Sequence, residues 1–294
     1  MIIIDMNQIS LASLMMYLNM NKTKEVDENM VRHMILNSIR MYRTNFKQEF
    51  GEVVLAWDSK HYWRRDYFPQ YKAGRKKGRE SSDLDWNSIF DCLNKIKSEI
   101  KENLPYKCLE VYGAEADDII ATLMKNPKRW FSTENLIISS DKDFIQLQRY
   151  PLVKQWSPVT KQYVNGYDPE IYLKEHILRG DSGDGVPNVL SPDNTFVDGL
   201  RQRPLSKKKI ESWRDADTKD IPTWSDEIKR NYQRNTSLID LSKVPEDIEE
   251  KIIDDVGIEV EEIFEEKSES DNLSDKLVDD FGRFDPKLEL SKFQ

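Results

Sequence analysis

Three short apolar runs, each followed closely by an aspartate, constrain this chain more than any other feature. Ile2-Ile3-Ile4 leads to Asp5, Val53-Val54-Leu55-Ala56-Trp57 to Asp58, and Leu136-Ile137-Ile138, after two serines, to Asp141. Such runs, brief and without polar alternation, read as strands buried on both faces. Helical patterns lie between them. Asp27 is the expected N-cap of a helix carrying Val31, Ile35, Ile39, Tyr42 and Phe46 and stopped by Gly51. A second helix, capped at Ser82 or Asp83, carries Trp86, Ile89, Leu93, Ile96 and Ile100 on one face. Residues 108–112 form a further short strand, and Gly113 leads into a helix opening at Ala114-Glu115-Ala116-Asp117-Asp118 and running to about Lys125. Asp168-Pro169 starts another helix, which ends at Gly180. Strands alternating with helices predict an α/β fold, a mostly parallel central sheet with helices on both faces.

In open α/β sheets, ligands bind beyond the carboxyl ends of the strands. Asp5, Asp58 and Asp141 therefore share one edge, with neighbouring strands roughly 5 Å apart. Asp143 projects to the same side as Asp141. Glu115, Asp117 and Asp118 begin a connecting helix at that edge, and Asp181 and Asp184 join them if the helix ending at Gly180 packs nearby. Carboxylates this close repel one another unless cations lie between them. Hard oxygen donors, with no His or Cys in the pattern, favour Mg²⁺ or Mn²⁺ over zinc. Singly, acids at helix starts and turns serve as caps, but three at successive strand ends form a pattern of their own. The histidines His33, His61 and His176 are scattered and receive no role.

The net charge of −9 looks unsuited to a nucleic-acid partner, but the charge is unevenly spread. Residues 246–280 hold 16 acids against 3 lysines, so the rest of the chain is net positive. Residues 60–79 carry Lys60, Arg64, Arg65, Lys72, Arg75, Lys76, Lys77 and Arg79 against Asp66, with Trp63, Tyr67, Phe68 and Tyr71 interleaved. Positive charge with aromatic rings suits phosphates and stacked bases. Divalent ions on carboxylates beside such a stretch suggest phosphodiester cleavage. No apolar run reaches membrane-span length and the N-terminal run is too short for a signal peptide, so the expectation is a cytoplasmic protein. Cys92 and Cys108 fit no metal spacing and read as ordinary thiols in a reducing compartment.

The motifs Ile4-Asp5, Ala56-Trp57-Asp58, Tyr62-Trp63-Arg64-Arg65-Asp66, Tyr71-Lys72, Glu115-Ala116-Asp117-Asp118, Ser139-Ser140-Asp141-Lys142-Asp143-Phe144 and Gly180-Asp181-Ser182-Gly183-Asp184 occur in this order over residues 1–190. In this the chain resembles the structure-specific 5′ nucleases, the flap endonuclease and 5′→3′ exonuclease family, and within it the bacteriophage ribonuclease H branch. The resemblance implies a catalytic domain over 1–190 and a helical C-terminal region over 191–294. Two Mg²⁺ ions are implied, with Mn²⁺ able to substitute. Asp5, Asp58, Asp117 and Asp141 would hold the first; Glu115, Asp143, Asp181 and Asp184 would surround the second, partly through water, with Asp118 a weaker member.

The basic stretch would form an arch over the site. Lys72 and Arg75 would meet the scissile phosphate, Tyr71 would stack on a base, and Arg64, Arg65, Lys76, Lys77 and Arg79 would bind nucleic acid. The implied activity is removal of RNA primers (ribonuclease H activity) and adjacent DNA during lagging-strand replication, by a monomer in the host-cell cytoplasm. A phage single-stranded DNA-binding protein or a sliding clamp would be partners of the acidic C-terminal region. Asn188-Val189-Leu190-Ser191-Pro192-Asp193 replaces the glycine-rich turn with which relatives grip duplex DNA, and Lys207-Lys208-Lys209 is the expected duplex contact. The residues alone leave two other readings, a PIN-like single-strand ribonuclease and a non-catalytic branched-DNA scaffold.

Overall fold

Ile2, Ile3 and Ile4 are each 0% exposed, because alternate side chains of one strand enter two separate cores. The strand is β1 (Ile2–Asp5) in a computed structural model that describes residues 1–125, 134–216 and 224–257. Ile2 and Ile4 pack with α1 (Met6–Asn21), α2 (Glu28–Phe50) and α5 (Trp86–Asn103). Ile3 faces the other way, toward α6 (Ala116–Lys125) and α10 (Glu246–Gly257). β2 (Val53–Ala56) and β4 (Asn135–Ile138) alternate likewise.

The six-stranded sheet has the order β3-β2-β1-β4-β5-β6, with β3 (Lys107–Leu109), β5 (Val153–Ser157) and β6 (Gln162–Tyr163) completing it. The first five strands are parallel and β6 pairs antiparallel with β5. β1 lies between β2 and β4, so the chain leaves the centre first to one side and then to the other. The carboxyl ends of β1 and β4 therefore flank the topological switch point, where open α/β sheets form their crevice.

The expected mostly parallel α/β sheet is present, with local differences. Asp27 and Gly51 bound α2 as expected. The cap of α5 is Asp85 and not Ser82 or Asp83, because Asp85 Oδ1 reaches the N–H groups of Asn87 and Ser88 while Asp83 pairs with Lys24. β3 starts and ends earlier than 108–112. The β5–β6 hairpin was not anticipated from the sequence.

The basic stretch forms two short helices, α3 (Trp63–Tyr67) and α4 (Ala73–Glu80), joined at Lys72, whose φ of 55° is left-handed. α7 (Pro169–Arg179) begins at the Asp168 cap and ends at Gly180 as expected. Gly180 has φ +67°, and a Cβ there would lie 2.4 Å from the Val186 carbonyl oxygen, so only glycine turns the chain into Asp181.

Beyond residue 190 lie α8 (Lys207–Asp215), α9 (Asp226–Ile239) and α10. In place of a glycine-rich turn, Asn188 stitches its loop by side-chain bonds: Oδ1 accepts from Leu190 N–H and Ser191 Oγ, and Nδ2 donates to the Arg203 carbonyl. Most acids of α10 face outward, Glu249 instead pairing with Lys125 of α6, while Ile248, Ile252 and Val256 join the core beneath the sheet. The rest of the acidic stretch, where partner docking was expected, lies outside the described residues. Among the described residues, no helix is long and apolar enough to cross a membrane.

Candidate active site

Asp5 is the last residue of β1 and caps α1, its carboxylate accepting from Gln8 N–H and from Ser139 Oγ at 3.0 Å. Burial, with the charges of Asp58 and Asp141, pushes its pKa up to about 7. Asp58, one residue past Trp57, accepts from the Ala116 N–H at 2.7 Å, and its own N–H is held by Asn7 Oδ1. Asp141 is exposed and caps a 3₁₀ helix over Lys142–Arg149 through the Asp143 N–H. Asp117 opens α6, and burial with the charges of Asp141, Asp5 and Glu115 raises its carboxyl well above the ordinary value. Asp117, Asp143, Asp181 and Asp184 line one recess together with Tyr71 and Arg64. Asp5 feels the charges of Asp58 and Asp141, and Asp117 those of Asp5 and Asp141, so these acids crowd one edge of the sheet.

A second layer binds the basic stretch to the acids. Arg64 is 2% exposed and sits between Glu115 (3.0 Å) and Asp118 (2.7 Å), with its Nε donating to the Leu238 carbonyl. Asp118 is fully buried, and its other oxygen accepts from Trp63 Nε1 and the Glu115 N–H. Tyr71 is 3% exposed, its hydroxyl donating toward Glu115 (3.1 Å) and Asp184 (2.8 Å).

Three expectations are corrected here. Arg64 is no nucleic-acid contact, because its guanidinium is enclosed between two carboxylates. Tyr71 has no free face for a base. Asp118 is no metal ligand, since both its oxygens are engaged inside the protein. Glu115, held below the ordinary value by Lys72 and Arg64 against the effect of burial, has both oxygens bound by protein cations and Tyr71.

Lys72 reaches Glu115 at 2.5 Å and Asp184 at 3.6 Å, and its backbone N–H donates to the Asp184 carbonyl. Arg75, half-exposed, pairs with Asp184 at 2.5 Å. Both residues thus stand at the rim of the acid cluster. The outer surface of α3 and α4 leaves Arg65, Lys76 and Lys77 exposed, while Arg79 lies over the Phe90 ring. Lys207–Lys209 start α8, with Lys209 packed on Trp213.

Sequence reasoning missed His176. From the last turn of α7 its Nδ1 lies 3.3 Å from Asp143 Oδ1 and its Nε2 3.5 Å from Asp181 Oδ2. Burial lowers the His176 pKa, but Asp181 and Asp143 outweigh it and raise the net value. Burial and the charges of Asp141, Asp181 and Asp184 push Asp143 up to about 7, against the opposing pull of His176. The weak sequence signal was position: His176 stands one helical turn before Gly180 and so over Asp181. Gln155 of β5 was missed too; its amide donates to the carbonyls of Ser139 and Asp141 and fixes the loop between them.

Among the described residues, Asp5, Asp58, Asp117 and Asp141 form no ion pair, although burial and mutual charge raise three of them. Crowded carboxylate oxygens that lack a protein cation are a donor set suited to a hard divalent ion. Asp143, His176 and Asp181 form a further group whose donor atoms lie within 4.8 Å of one another.

Residues 1–176 match the family model described as 5′-3′ exonuclease, N-terminal resolvase-like domain, and residues 167–261 match that described as T4 RNase H, C terminal. Ribonuclease H of Enterobacteria phage T4 is 36% identical over 263 residues, 85% of this chain and 84% of that protein. Flap endonuclease Xni of Shewanella sp. (strain MR-4) is 35% identical over 147 residues, and the match spans about half of that protein (52%). Among solved structures, a bacteriophage T5 flap endonuclease in a pseudo-enzyme-product complex with DNA and metal ions aligns with a TM-score of 0.65. It is 18% identical and is covered over 98% of its length by 90% of this chain. A T5 5′-exonuclease with bound zinc aligns with a TM-score of 0.57 at 17% identity, over 90% of this chain and 98% of that one.

Proposed function

The chain belongs to the 5′-3′ exonuclease family, and from that premise we propose that it removes RNA primers, and the DNA beside them, from lagging-strand fragments as a metal-dependent 5′→3′ exonuclease and flap endonuclease. The observation that carries this reading is the set of unpaired acids at the switch point, rimmed by Lys72 and Arg75 of the basic stretch. Asp5, Asp58, Asp117 and Asp141 would hold one Mg²⁺. Asp143 would hold a second, with Glu115, Asp181 and Asp184 around it, partly through water; Mn²⁺ can stand in for either ion. When bound, the ions supply an activated water and stabilise charge on the attacking and leaving oxygens.

The chain's own residues do the rest. Ser139 and Gln8 fix the Asp5 carboxylate, Asn7 and Ala116 fix Asp58, and Gln155 sets the loop that carries Asp141. Lys72 and Arg75 bring positive charge to where a scissile phosphate must meet the acids. Arg65, Lys76 and Lys77 offer exposed charge to phosphates further along the strand, so binding should weaken steeply with salt.

The test is a 5′-labelled flap duplex and a 5′-labelled RNA–DNA hybrid, each incubated with Mg²⁺ and then with EDTA, alongside Asp141→Ala. Short labelled products are expected only with wild type and metal, and a loss of at least ~100-fold is expected for the variant. Cutting by Asp141→Ala at the wild-type rate, or cutting in EDTA, would overturn the reading.

A further inference from the structure

The two acid groups differ in one atom type. Asp5, Asp58, Asp117 and Asp141, which feel one another's charge, offer carboxylate oxygens alone. Beside Asp143 an imidazole intervenes. His176 Nδ1 is fully enclosed and makes no hydrogen bond, although Asp143 Oδ1 is 3.3 Å away. A nitrogen lone pair facing a carboxylate oxygen at that distance is repelled by it unless a cation is shared between them.

The other ring nitrogen, Nε2, faces Asp181 Oδ2 at 3.5 Å. Asp181 is itself held, Oδ1 accepting from the N–H groups of Gly183 (2.7 Å) and Asp184 (3.1 Å). The Tyr172 ring stands edge-on to His176 with centroids 5.8 Å apart and limits how far the imidazole can turn. Metal-binding histidines are commonly set in this way: one N–H is taken by a carboxylate, which fixes the tautomer and aims the remaining lone pair at the ion.

We propose that His176 Nδ1 is a direct ligand of the second divalent ion, beside Asp143, with Asp181 orienting the ring through Nε2. The proposal rests on the metal-dependent reading above for this place being a metal centre. It also assigns the centre a selectivity. All-oxygen sites suit Mg²⁺, whereas an imidazole ligand favours Mn²⁺, Co²⁺ and Zn²⁺ by their greater affinity for nitrogen. The two positions of one cleft would then differ in taste, one for Mg²⁺ and one for a borderline ion.

The alternative role for His176 is a protonated bridge between Asp143 and Asp181. A proton and a metal ion compete for the same lone pair, so the two roles predict opposite effects of removing the ring. The experiment titrates the full chain, without nucleic acid, with Co²⁺ followed by visible absorption and with Mn²⁺ followed by electron paramagnetic resonance. Wild type, His176→Ala and His176→Gln are compared, with Mg²⁺ as competitor, and far-UV circular dichroism checks that each is folded. If His176 ligates, both variants bind Co²⁺ and Mn²⁺ at one of two positions at least ~10-fold more weakly, with Mg²⁺ affinity nearly unchanged. The Co²⁺ absorption of that position also shifts.

Unchanged Co²⁺ affinity, or tighter binding of all three ions in the variants, overturns the proposal and makes the ring a charge bridge. His176→Gln keeps much of the side-chain volume should His176→Ala fail to fold. Flap cleavage is scored separately. A cutting enzyme whose variants bind Co²⁺ like wild type loses this inference and keeps the nuclease reading. A chain that binds Co²⁺ through His176 but cuts nothing does the reverse.

Discussion

Truncating Arg64 to alanine should be among the most damaging single changes outside the apolar cores. The guanidinium lies between Glu115 and Asp118, which are 1% and 0% exposed, and supplies the Leu238 carbonyl with a donor. Breaking a buried pair leaves an uncompensated charge and costs about 3–5 kcal/mol. Lys72 continues to serve Glu115, but Asp118 loses its ion-pair partner, which places the loss near the middle of that range, at about 4 kcal/mol. Total stability is commonly only about 5–15 kcal/mol. With a melting temperature shifting by about 2–4 °C per kcal/mol in a chain of this size class, the variant should melt roughly 8–16 °C lower.

Urea unfolding followed by tryptophan fluorescence in EDTA, with calorimetry, measures both quantities. Arg64→Met combined with Asp118→Asn removes the charge on both sides and should be less destabilised than the sum of the single changes by about 1 kcal/mol or more. A loss below about 1 kcal/mol for Arg64→Ala would refute the argument that this residue is an internal counter-ion.

Four further outcomes are expected. Asp141→Asn removes one of several repelling charges while keeping an oxygen for the Asp143 N–H, so in EDTA it should be as stable as wild type or up to ~1 kcal/mol more so, though inactive; a clear loss in urea melts would contradict the repulsion. Gly180→Ala should cost more than ~2 kcal/mol by the same assay, since the left-handed φ and the Val186 oxygen both oppose a Cβ. Burial raises Glu110, but hydrogen bonds from Lys101 and Lys97 hold it below the ordinary carboxyl value, so its contribution is present above its unfolded pKa near 4.5 and lost as pH falls through the lower folded value. Lys97→Met with Lys101→Met should therefore lower stability at pH 7 by about 1 kcal/mol and make little difference once the pH is below the folded value, as urea melts at the two pH values would read out. Burial pushes the Cys108 thiol up to about 11, so at pH 8 it should react with iodoacetamide far more slowly than free cysteine, by mass spectrometry.

How far the sequence foretold this molecule depends on how local each decision is. β1, β2 and β4 announce themselves because residues buried on both faces leave no polar alternation to confuse the reading. Asp27, Gly51, Asp168 and Gly180 bound their helices through bonds a few residues long. Long-range choices were hidden. Arg64 and Tyr71 look like surface chemistry in a basic stretch; what buries them is Glu115, 51 and 44 residues on. Lys154 and Gln155 disguise β5 as a polar segment, yet Gln155 is buried because it bonds the loop that carries Asp141. His176 was passed over as one of three scattered histidines, since its partners at 143 and 181 converge only when α7 docks on the 3₁₀ helix.

The core beneath the sheet has a consequence for how the protein is made. Met1, Ile3, Ala56 and Ile137 share that core with Leu241, Val244, Ile248, Ile252 and Val256. Lys107 donates to the Asp255 carbonyl, and the Arg64 guanidinium waits for Leu238. On the ribosome, every acid of the cleft emerges long before the residues that close the layer behind it. A nascent chain released at 190 would expose the apolar underside of its sheet, the kind of surface that recruits holding chaperones. Native contacts such as that from Lys107 to Asp255, and a core that gathers Met1 with Val256, also place the chain among slow folders, because the longest loops must close before the layer forms. Stalled or nicked products should accumulate as catalytically silent, aggregation-prone species, and enzymatic competence should be acquired late and all at once.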